Sequence, residues 1–164
     1  MRSPSFFVIW NLIFGLFLAG CGYQNISQRP SFDLYFPILT NRTGEPGVEV
    51  ILTSALTREL LRRGVSLSPE ERASHFLSGA VTSYQRSPLA FQSEDPAEVK
   101  IYRLVVTVHL DLSACGERLK ETDLSSARDY YLVGPFARSE SETLQLLADD
   151  LAKRAVAWLL QERR

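Results

Sequence analysis

The sequence predicts an α+β fold: a two-layer sandwich with two helices packed on one face of a small mixed, mostly antiparallel sheet, in the order β-α-β-β-β-α. Two segments carry apolar residues at spacings of three and four, the period of a helix with one buried face. The other apolar runs alternate with polar residues, which is the period of a strand. Three of these strand segments follow one another without a helix between them, and such segregation is typical of α+β proteins.

The first strand and the first helix follow in chain order. Apolar residues alternate over residues 32–38, and Pro37 indicates that this strand ends or lies at a sheet edge there. After a loop of turn-forming residues, 41–47, the helical period runs through residues 48–63, and Gly64 is placed to end the helix as a C-terminal cap. If the strands before and after this helix pair in parallel, their crossover is right-handed.

The middle of the chain predicts the later strands. Residues 76–84 are expected to form a strand buried on part of both faces, followed by a loop over residues 85–97, which contains two prolines. Residues 102–112 alternate most clearly: one face is apolar, and the other is mixed and therefore expected to contact water. A turn at Cys115-Gly116 leads into residues 117–133, a weaker strand or pair of strands.

A long amphipathic helix ends the chain. Ser139 and Glu142 match the capping box, in which each side chain accepts a hydrogen bond from the other residue's backbone N–H, and Glu140 favours the positive end of the helix dipole. The apolar stripe consists of Leu144, Leu147, Ala148, Leu151, Ala155, Trp158 and Leu159. Burial of each large side chain contributes about 1.5–3 kcal/mol before entropy. We therefore expect this stripe to pack on the sheet rather than to bind a partner.

Residues 1–20 are predicted to be a lipoprotein signal peptide. Arg2 gives a positive start, and residues 6–18 form an almost uninterrupted apolar run of 13 residues. This run suits a signal peptide and is too short for a spanning helix of roughly 20 residues. Leu18-Ala19-Gly20-Cys21 then resembles the lipobox of bacterial lipoproteins, in which the cysteine thiolate takes a diacylglyceryl group. The alternative is an ordinary secretory signal with a chance cysteine.

Lipidation at Cys21 would anchor the mature protein in a membrane. Each buried methylene contributes about 0.8 kcal/mol and one myristoyl chain binds only marginally, so a stable anchor needs two or three long chains such as palmitate. In enterobacteria an Asp after the cysteine resembles an inner-membrane retention signal, so Gly22 favours the outer membrane, with the protein facing the periplasm. Residues 21–30 then form a lipidated tether, and residues 31–164 form a single domain.

Composition and cysteine count limit the remaining classes. Cleavage before Cys21 leaves 144 of the 164 residues, enough for one domain with a core. Loss of Arg2 leaves 17 of the 18 basic residues against 19 acidic ones, a net charge of −2, which argues against a nucleic-acid partner. Cys115 is then the remaining cysteine, so no internal disulfide is expected. A small turn residue is the favoured interpretation of Cys115, and an intermolecular bridge is the other option.

The sequence does not indicate a catalytic or metal-binding motif. His75 and His109 have no second ligand at a metal-like spacing. The motifs G-x-S-x-G and H-E-x-x-H and the phosphate-binding glycine loop do not occur in the sequence. We therefore predict that the protein is not an enzyme, with no metal site and no cofactor beyond the acyl chains on Cys21.

Short motifs spread over the mature chain resemble those of one known family. They are Cys21-Gly22-Tyr23, Asn41-Arg42-Thr43, Pro46-Gly47-Val48-Glu49, Leu77-Ser78-Gly79-Ala80-Val81, Tyr102-Arg103-Leu104 and a Leu- and Ala-rich helix from Leu144. In this order they resemble the lipopolysaccharide-assembly lipoprotein family, whose members are the small partners of the outer-membrane lipopolysaccharide export barrel. The fold of that family, helices on one side of a small sheet, agrees with the pattern described above.

The resemblance implies a non-enzymatic function. Members of the family plug the lumen of a large β-barrel, help it to assemble and contact lipopolysaccharide. In the family, basic side chains near a strand–strand loop and near the start of the last helix are implicated in contacting the anionic glycolipid. The nearest counterparts here are Arg86, Lys100 and Arg138. A guanidinium fork suits the phosphates of lipid A, and the alternative for each of these residues is a solvated surface charge.

Two functions from different classes therefore compete. The first is a protein that plugs the export barrel and contacts lipopolysaccharide, and it needs a complementary surface well above roughly 1,000 Å². The second is a free-standing, lipid-anchored envelope lipoprotein that binds another ligand without a barrel, and it needs a pocket. A third option, a periplasmic hydrolase, would need a clustered nucleophile and base that the sequence does not indicate.

Overall fold

The computed structural model describes residues 32–91, 99–132 and 139–161. Within these ranges it contains two helices and an open, mixed sheet of six strands, which confirms the α+β prediction. The elements in chain order are β1 (Asp33–Tyr35), β2 (Thr40–Asn41), α1 (Val48–Arg62), β3 (Ser66–Leu67), β4 (His75–Phe91), β5 (Val99–Ala114), β6 (Glu117–Tyr131) and α2 (Glu140–Leu160). A short 3-10 helix, Glu70–Arg72, precedes β4.

The sheet has a short parallel part and a long antiparallel part. The strand order is β3-β1-β4-β5-β6, and β2 also pairs with β4. β1, β2 and β3 run parallel to their neighbours, whereas β4, β5 and β6 are joined as two antiparallel hairpins. The chain therefore passes from β1 through α1 to the parallel strand β4, as expected if the strands on either side of the first helix pair in parallel.

Both helices cover one face of the sheet and enclose a single core. On β5 the apolar face predicted from the sequence is buried from Leu104 to Leu112, with side chains at most 4 % exposed. Residues of the other face, from Arg103 to Asp111, are half-buried or exposed. The predicted stripe of α2 belongs to the same core, with Trp158 packed at its margin. Core packing is thus confirmed as the role of that stripe.

Three local signals of the sequence are confirmed. Gly64 follows α1 with a φ of 76°, and its neighbourhood has the two backbone hydrogen bonds of a Schellman motif. Ser139 and Glu142 form both hydrogen bonds of the capping box at the start of α2. Cys115 and Gly116, with φ values of 52° and 81°, form the β5–β6 turn, as is typical of a two-residue hairpin.

The prediction of one strand over residues 32–38 is wrong in its extent. β1 ends at Tyr35, and Pro37 lies in the link to β2, because proline has no N–H to donate to a strand ladder. Ile38 is 69 % exposed, and Leu39 takes the core position instead. The backbone N–H of Leu39 donates to Oγ1 of Thr53 in α1 at 3.1 Å, which fixes this link against the helix.

The prediction of a loop over residues 85–97 is wrong for its first seven residues, because β4 continues to Phe91 in pairing with β5. β1 and β2 pair with β4 only as far as Val81, so the later part of β4 is an edge strand. Proline is tolerated on an edge strand, because the backbone N–H that it lacks can be one that would face solvent instead of a neighbouring strand. Pro88 can therefore lie in this part of β4. Of the two alternatives for residues 117–133, a single strand is observed, ending at Tyr131.

The loop that contains the Asn41-Arg42-Thr43 motif is organised by one side chain. Asn41 Oδ1 accepts hydrogen bonds from the backbone N–H and the hydroxyl of Thr43, both at 2.8 Å. Its Nδ2 donates to the carbonyl of Glu45 and to the carboxylate of Glu49, both at 2.7 Å. The asparagine therefore connects β2 to the first turn of α1.

Lys120 of β6 caps the C-terminal end of α2. Its Nζ donates to the carbonyl oxygens of Trp158, Leu159 and Gln161 at 2.8, 2.9 and 3.0 Å, and it lies 4.9 Å from the centre of the Trp158 ring. The last turn of α2 contains no basic residue of its own. The lysine therefore supplies the positive charge that a helix C-terminus favours.

Lys120→Met is expected to lower the free energy of unfolding by about 1–2 kcal/mol, since the variant loses charged hydrogen bonds to three helix-end carbonyls. Urea denaturation followed by circular dichroism measures this. Lys153→Met is the matched control, because it removes the same charge from an exposed position on α2. Equal stabilities of the two variants would contradict the capping role.

Glu59 is a buried carboxylate in α1, with only 7 % of its side chain exposed. It accepts two hydrogen bonds from Arg62 at 2.6 Å and one from Arg63 at 3.0 Å. The hydrogen bond from Arg62, against the opposing effect of burial, lowers the pKa of Glu59 to about 2 from its ordinary value of 4.5. The carboxylate is thus stabilised more in the folded than in the unfolded chain.

This pKa predicts a loss of stability in acid. Because the pKa of Glu59 is lower in the folded than in the unfolded chain, its ionised carboxylate adds to the free energy of unfolding. This contribution is complete above the unfolded-state pKa and is lost as pH falls from about 4.5 towards 2. Because both arginines are largely exposed and screened by solvent, we expect the difference between wild type and Glu59→Gln to shrink by about 1 kcal/mol across this range. Unfolding free energies at several pH values measure it, and a constant difference would contradict the assignment.

Neither helix in the described ranges has an apolar stretch long enough to cross a lipid bilayer. The signal peptide, Cys21 and the tether predicted from the sequence lie outside the described residues.

Candidate functional site

A polar cluster lies where the antiparallel strands meet the start of α2. It consists of Tyr84 and Arg86 in β4, Tyr130 in β6 and Glu140, the first residue of α2. We call these four residues the Glu140 cluster. Arg86 pairs with the buried Leu104 across the β4–β5 ladder. Tyr84, Arg86 and the buried Tyr130 therefore lie on the face of the sheet that the helices cover.

The carboxylate of Glu140 is the centre of the cluster. Its Oε1 accepts hydrogen bonds from the hydroxyl of Tyr84 at 2.6 Å and from Nη2 of Arg86 at 2.7 Å. Its Oε2 accepts a hydrogen bond from the hydroxyl of Tyr130 at 3.1 Å. The Tyr130 ring also stacks on Tyr102 of β5, with 5.6 Å between the ring centres. One carboxylate therefore ties the start of α2 to both β4 and β6.

The two tyrosines are permanent hydrogen-bond donors. Burial, together with the hydrogen bond and the charge of Glu140, raises the pKa of Tyr84 well above its ordinary value of 10.0. Burial and the charge of Glu140 raise the pKa of Tyr130 to about 12. Arg86 adds a guanidinium with 46 % of its side chain exposed, while Glu140 is 27 % exposed. The cluster thus offers a solvent-accessible cation whose charge is balanced by a carboxylate.

The predicted contact residues are described to different extents. Arg86 belongs to the Glu140 cluster. Lys100 lies in β5, but its side chain is outside the description, and Cys21 and Arg138 lie outside the described residues. Contact of Arg86, Lys100 and Arg138 with a glycolipid therefore stays a prediction.

Tyr84, Tyr130 and Glu140 are not predicted from the sequence as partners of Arg86. The signal in the sequence is that both tyrosines stand on the apolar face of a strand, where a buried hydroxyl needs a hydrogen-bond partner. A carboxylate at a helix start can supply that partner. The sequence predicts a loop at Arg86, and only the extension of β4 to Phe91 places this arginine beside the tyrosines.

A second group of charged side chains lies on the uncovered face of the sheet. Strand pairing places His109 opposite Asp123 and Asp111 opposite Glu121, which are neighbours that spacing along the sequence does not indicate. Ligand atoms of His109, Asp111 and Glu121 lie within 4.8 Å of one another. However, Arg118 binds Asp111 at 2.5 Å and Glu121 at 2.8 Å, and His109 binds Asp123 at 2.9 Å. A cation would have to displace Arg118, and the group is a satisfied ion-pair network.

Within the described ranges, surface grooves border α2 in two places. One, of about 350 Å³, lies between the helices beside Val50 and is bridged by the ion pair of Arg58 with Asp149 at 2.6 Å. The other, of about 560 Å³, lies beside Leu124 and Trp158. Both grooves open to solvent, unlike the enclosed, mostly apolar cavities in which proteins bury small ligands.

Comparison with known proteins gives a family match that covers nearly all of the described residues. The family model LptE, described as lipopolysaccharide-assembly, matches residues 33–161. No curated protein matches the chain in sequence.

Several solved structures are similar to this fold. A protein from Xanthomonas campestris has a TM-score of 0.59 at 12 % identity, covering 80 % of this chain and 85 % of its own. Lipoprotein B from Nitrosomonas europaea has a TM-score of 0.55 at 16 % identity, covering 82 % and 85 %. A minor lipoprotein from Acinetobacter baumannii has a TM-score of 0.52 at 20 % identity, covering 77 % and 91 %. At these identities the likeness concerns the fold alone.

Proposed function

The chain belongs to the LptE lipopolysaccharide-assembly family, and on that premise we propose that it is an outer-membrane lipoprotein that helps to assemble and plug the lipopolysaccharide export barrel. In this proposal acyl chains on Cys21 anchor the protein, the folded domain faces the periplasm, and the protein assists lipopolysaccharide insertion at the cell surface. The protein acts by contact rather than by catalysis. The observation that carries the proposal is the family match, which extends from the first residue of β1 to the end of α2.

The face of β4, β5 and β6 that the helices leave uncovered is suited to contact with a large protein partner. β5 has 16 residues and is therefore on the order of 50 Å long. The middle of this face carries small hydroxyl side chains in one row, Ser83, Thr107 and Ser125, and the last two are hydrogen-bonded at 3.2 Å. Small side chains allow a second surface to approach closely. A long sheet face with half-buried and exposed side chains suits the wall of a barrel better than it suits a small ligand.

The Glu140 cluster supports contact with an anionic glycolipid. Arg86 is half-exposed, and two tyrosine hydroxyls lie close to its guanidinium through their shared carboxylate partner. A guanidinium donates strong, charge-assisted hydrogen bonds to phosphate oxygens, so Arg86 is the member of the cluster that suits this contact. We propose that Lys100, at the start of β5, and Arg138, two positions before Glu140 in the sequence, add positive charge to the same contact.

Affinity purification from outer membranes tests the partner. The full chain, with its signal peptide and Cys21 retained and a C-terminal tag added, is extracted in mild detergent. We expect a β-barrel protein in the eluate at a stoichiometric amount. Replacement of Thr107 by Arg places a long charged side chain in the middle of the uncovered face and is expected to reduce that amount at least several-fold. Glu117→Arg is the control for added positive charge, because Glu117 is exposed and is the first residue of β6, away from the middle of this face.

A clean monomer in mild detergent would exclude the barrel partner. It would leave the alternative, a free-standing lipid-anchored lipoprotein that binds another ligand. Equal recovery of the barrel with Thr107→Arg would instead mean that the partner contacts a different face of the domain.

A further inference from the structure

The Glu140 cluster has an arrangement that a purely structural link between α2 and the sheet does not require. The two tyrosine hydroxyls alone would tie Glu140 to β4 and β6. Arg86 adds a third donor, on the oxygen that already accepts from Tyr84. Its guanidinium and the carboxylate are both accessible to solvent, so the ion pair is open to competition by an external anion.

We propose that Glu140 is an internal competitor for the phosphate groups of the glycolipid. In the free protein its carboxylate accepts one hydrogen bond each from Nη2 of Arg86 and from the hydroxyls of Tyr84 and Tyr130. A phosphate group binds when it takes over the guanidinium of Arg86, and the carboxylate then keeps only its tyrosine partners. This inference rests on the proposed function, because it concerns the control of the same glycolipid site.

The chemistry of the cluster gives the reason for this competition. A phosphate and a carboxylate are both oxyanions, and each can accept two parallel hydrogen bonds from a guanidinium. The carboxylate of Glu140 cancels most of the positive charge of Arg86. A phosphate that binds must therefore displace this carboxylate from the guanidinium and then remain close to its negative charge. Removal of the negative charge therefore strengthens phosphate binding, whereas removal of a merely structural link does not.

Glu140→Gln is the variant that separates the two roles. The Gln side chain has the same shape, its carbonyl oxygen still accepts from one tyrosine, and its amide donates to the oxygen of the other. The full lipidated chain in non-ionic detergent is titrated by calorimetry with diphosphoryl lipid A and with the dephosphorylated glycolipid. We expect Glu140→Gln to bind the phosphorylated form roughly fivefold to tenfold more tightly than wild type, with unchanged binding of the dephosphorylated form.

Asp149→Asn is the matched control. It removes one negative charge from the same helix and releases Arg58, a more exposed arginine, from its ion pair. We expect no gain in affinity for the phosphorylated glycolipid. In the double variant with Arg86→Met, the gain produced by Glu140→Gln is expected to disappear. If Glu140→Gln does not fold, Glu140→Asp, which is one methylene shorter, replaces it and is expected to show a smaller gain.

The outcomes distinguish this inference from the proposed function. If Arg86→Met weakens binding in wild type but Glu140→Gln does not strengthen it, Glu140 is a structural link and only the competitor role fails. If neither substitution changes binding, glycolipid contact at this cluster fails as well. An equal gain with Asp149→Asn would reduce the effect to net charge and overturn the inference.

Discussion

Gly79→Ala is expected to lower the free energy of unfolding by about 3 kcal/mol, and the midpoint of thermal unfolding by roughly 6–12 °C. A Cβ at this position of β4 would lie 2.6 Å from the backbone carbonyl oxygen of His109. It would also lie 2.7 Å from a methyl group of Leu110 and 2.8 Å from one of Leu39, both of which are buried. The carbonyl belongs to the paired strand, so relief requires a shift of the β4–β5 ladder.

Gly44→Ala is the control for this prediction. A Cβ at Gly44 meets no atom within 4 Å, so that variant is expected to stay within about 0.5 kcal/mol of wild type. Thermal unfolding followed by circular dichroism measures both variants. Equal midpoints would show that the sheet accommodates a side chain at Gly79 and that the close packing of Leu39 and Leu110 is not needed.

Cys21→Ser is expected to abolish lipidation and to release more than roughly 90 % of the protein from the membrane fraction. The thioether forms from a thiolate, and a serine hydroxyl is not an equivalent nucleophile. Loss of two or three long acyl chains removes the whole hydrophobic contribution of the anchor. Metabolic labelling with a palmitate analogue, followed by fractionation of the envelope, measures both effects.

Cys115→Ser is the matched control for lipidation. Cys115 lies in an exposed turn of the folded domain, so its replacement is expected to leave labelling and fractionation unchanged. If wild-type protein takes up no label, the N-terminal segment is an ordinary secretory signal. If Cys21→Ser keeps its label, the acyl chains are attached elsewhere.

The sequence predicted those parts of the fold that depend on local chemistry. The apolar face of β5, the stripe of α2 and the caps at Gly64 and Ser139 follow from periodicity and from hydrogen-bonding groups close in sequence. The extension of β4 through Pro88 did not follow, because a proline ends a central strand but is tolerated on an edge. Which part of β4 is an edge depends on where β1 and β2 stop pairing, and that is a property of the tertiary structure.

The candidate site was only partly predictable for a related reason. The family resemblance of the chain indicates Arg86 as a contact residue, but its partner Glu140 is 54 residues later in the chain. His109 likewise meets Asp123 and its neighbours through pairing of β5 with β6. Spacing along the sequence does not give such contacts. They require the strand register, which in turn is determined by turns and bulges that single residues indicate only weakly.

The packing of α2 against α1 has a consequence for the order of folding. Arg58 and Asp149 join the first and last helices across 91 positions of the chain, and the core cluster draws residues from both helices. In the proposed export of this lipoprotein, the chain emerges in the periplasm from its N-terminus, so the three long strands arrive before the helix that completes their covering. Contacts of such large sequence separation form slowly. The apolar face of β5 is therefore exposed until the last 25 or so residues are free, which is the interval in which a chaperone is most useful to this protein.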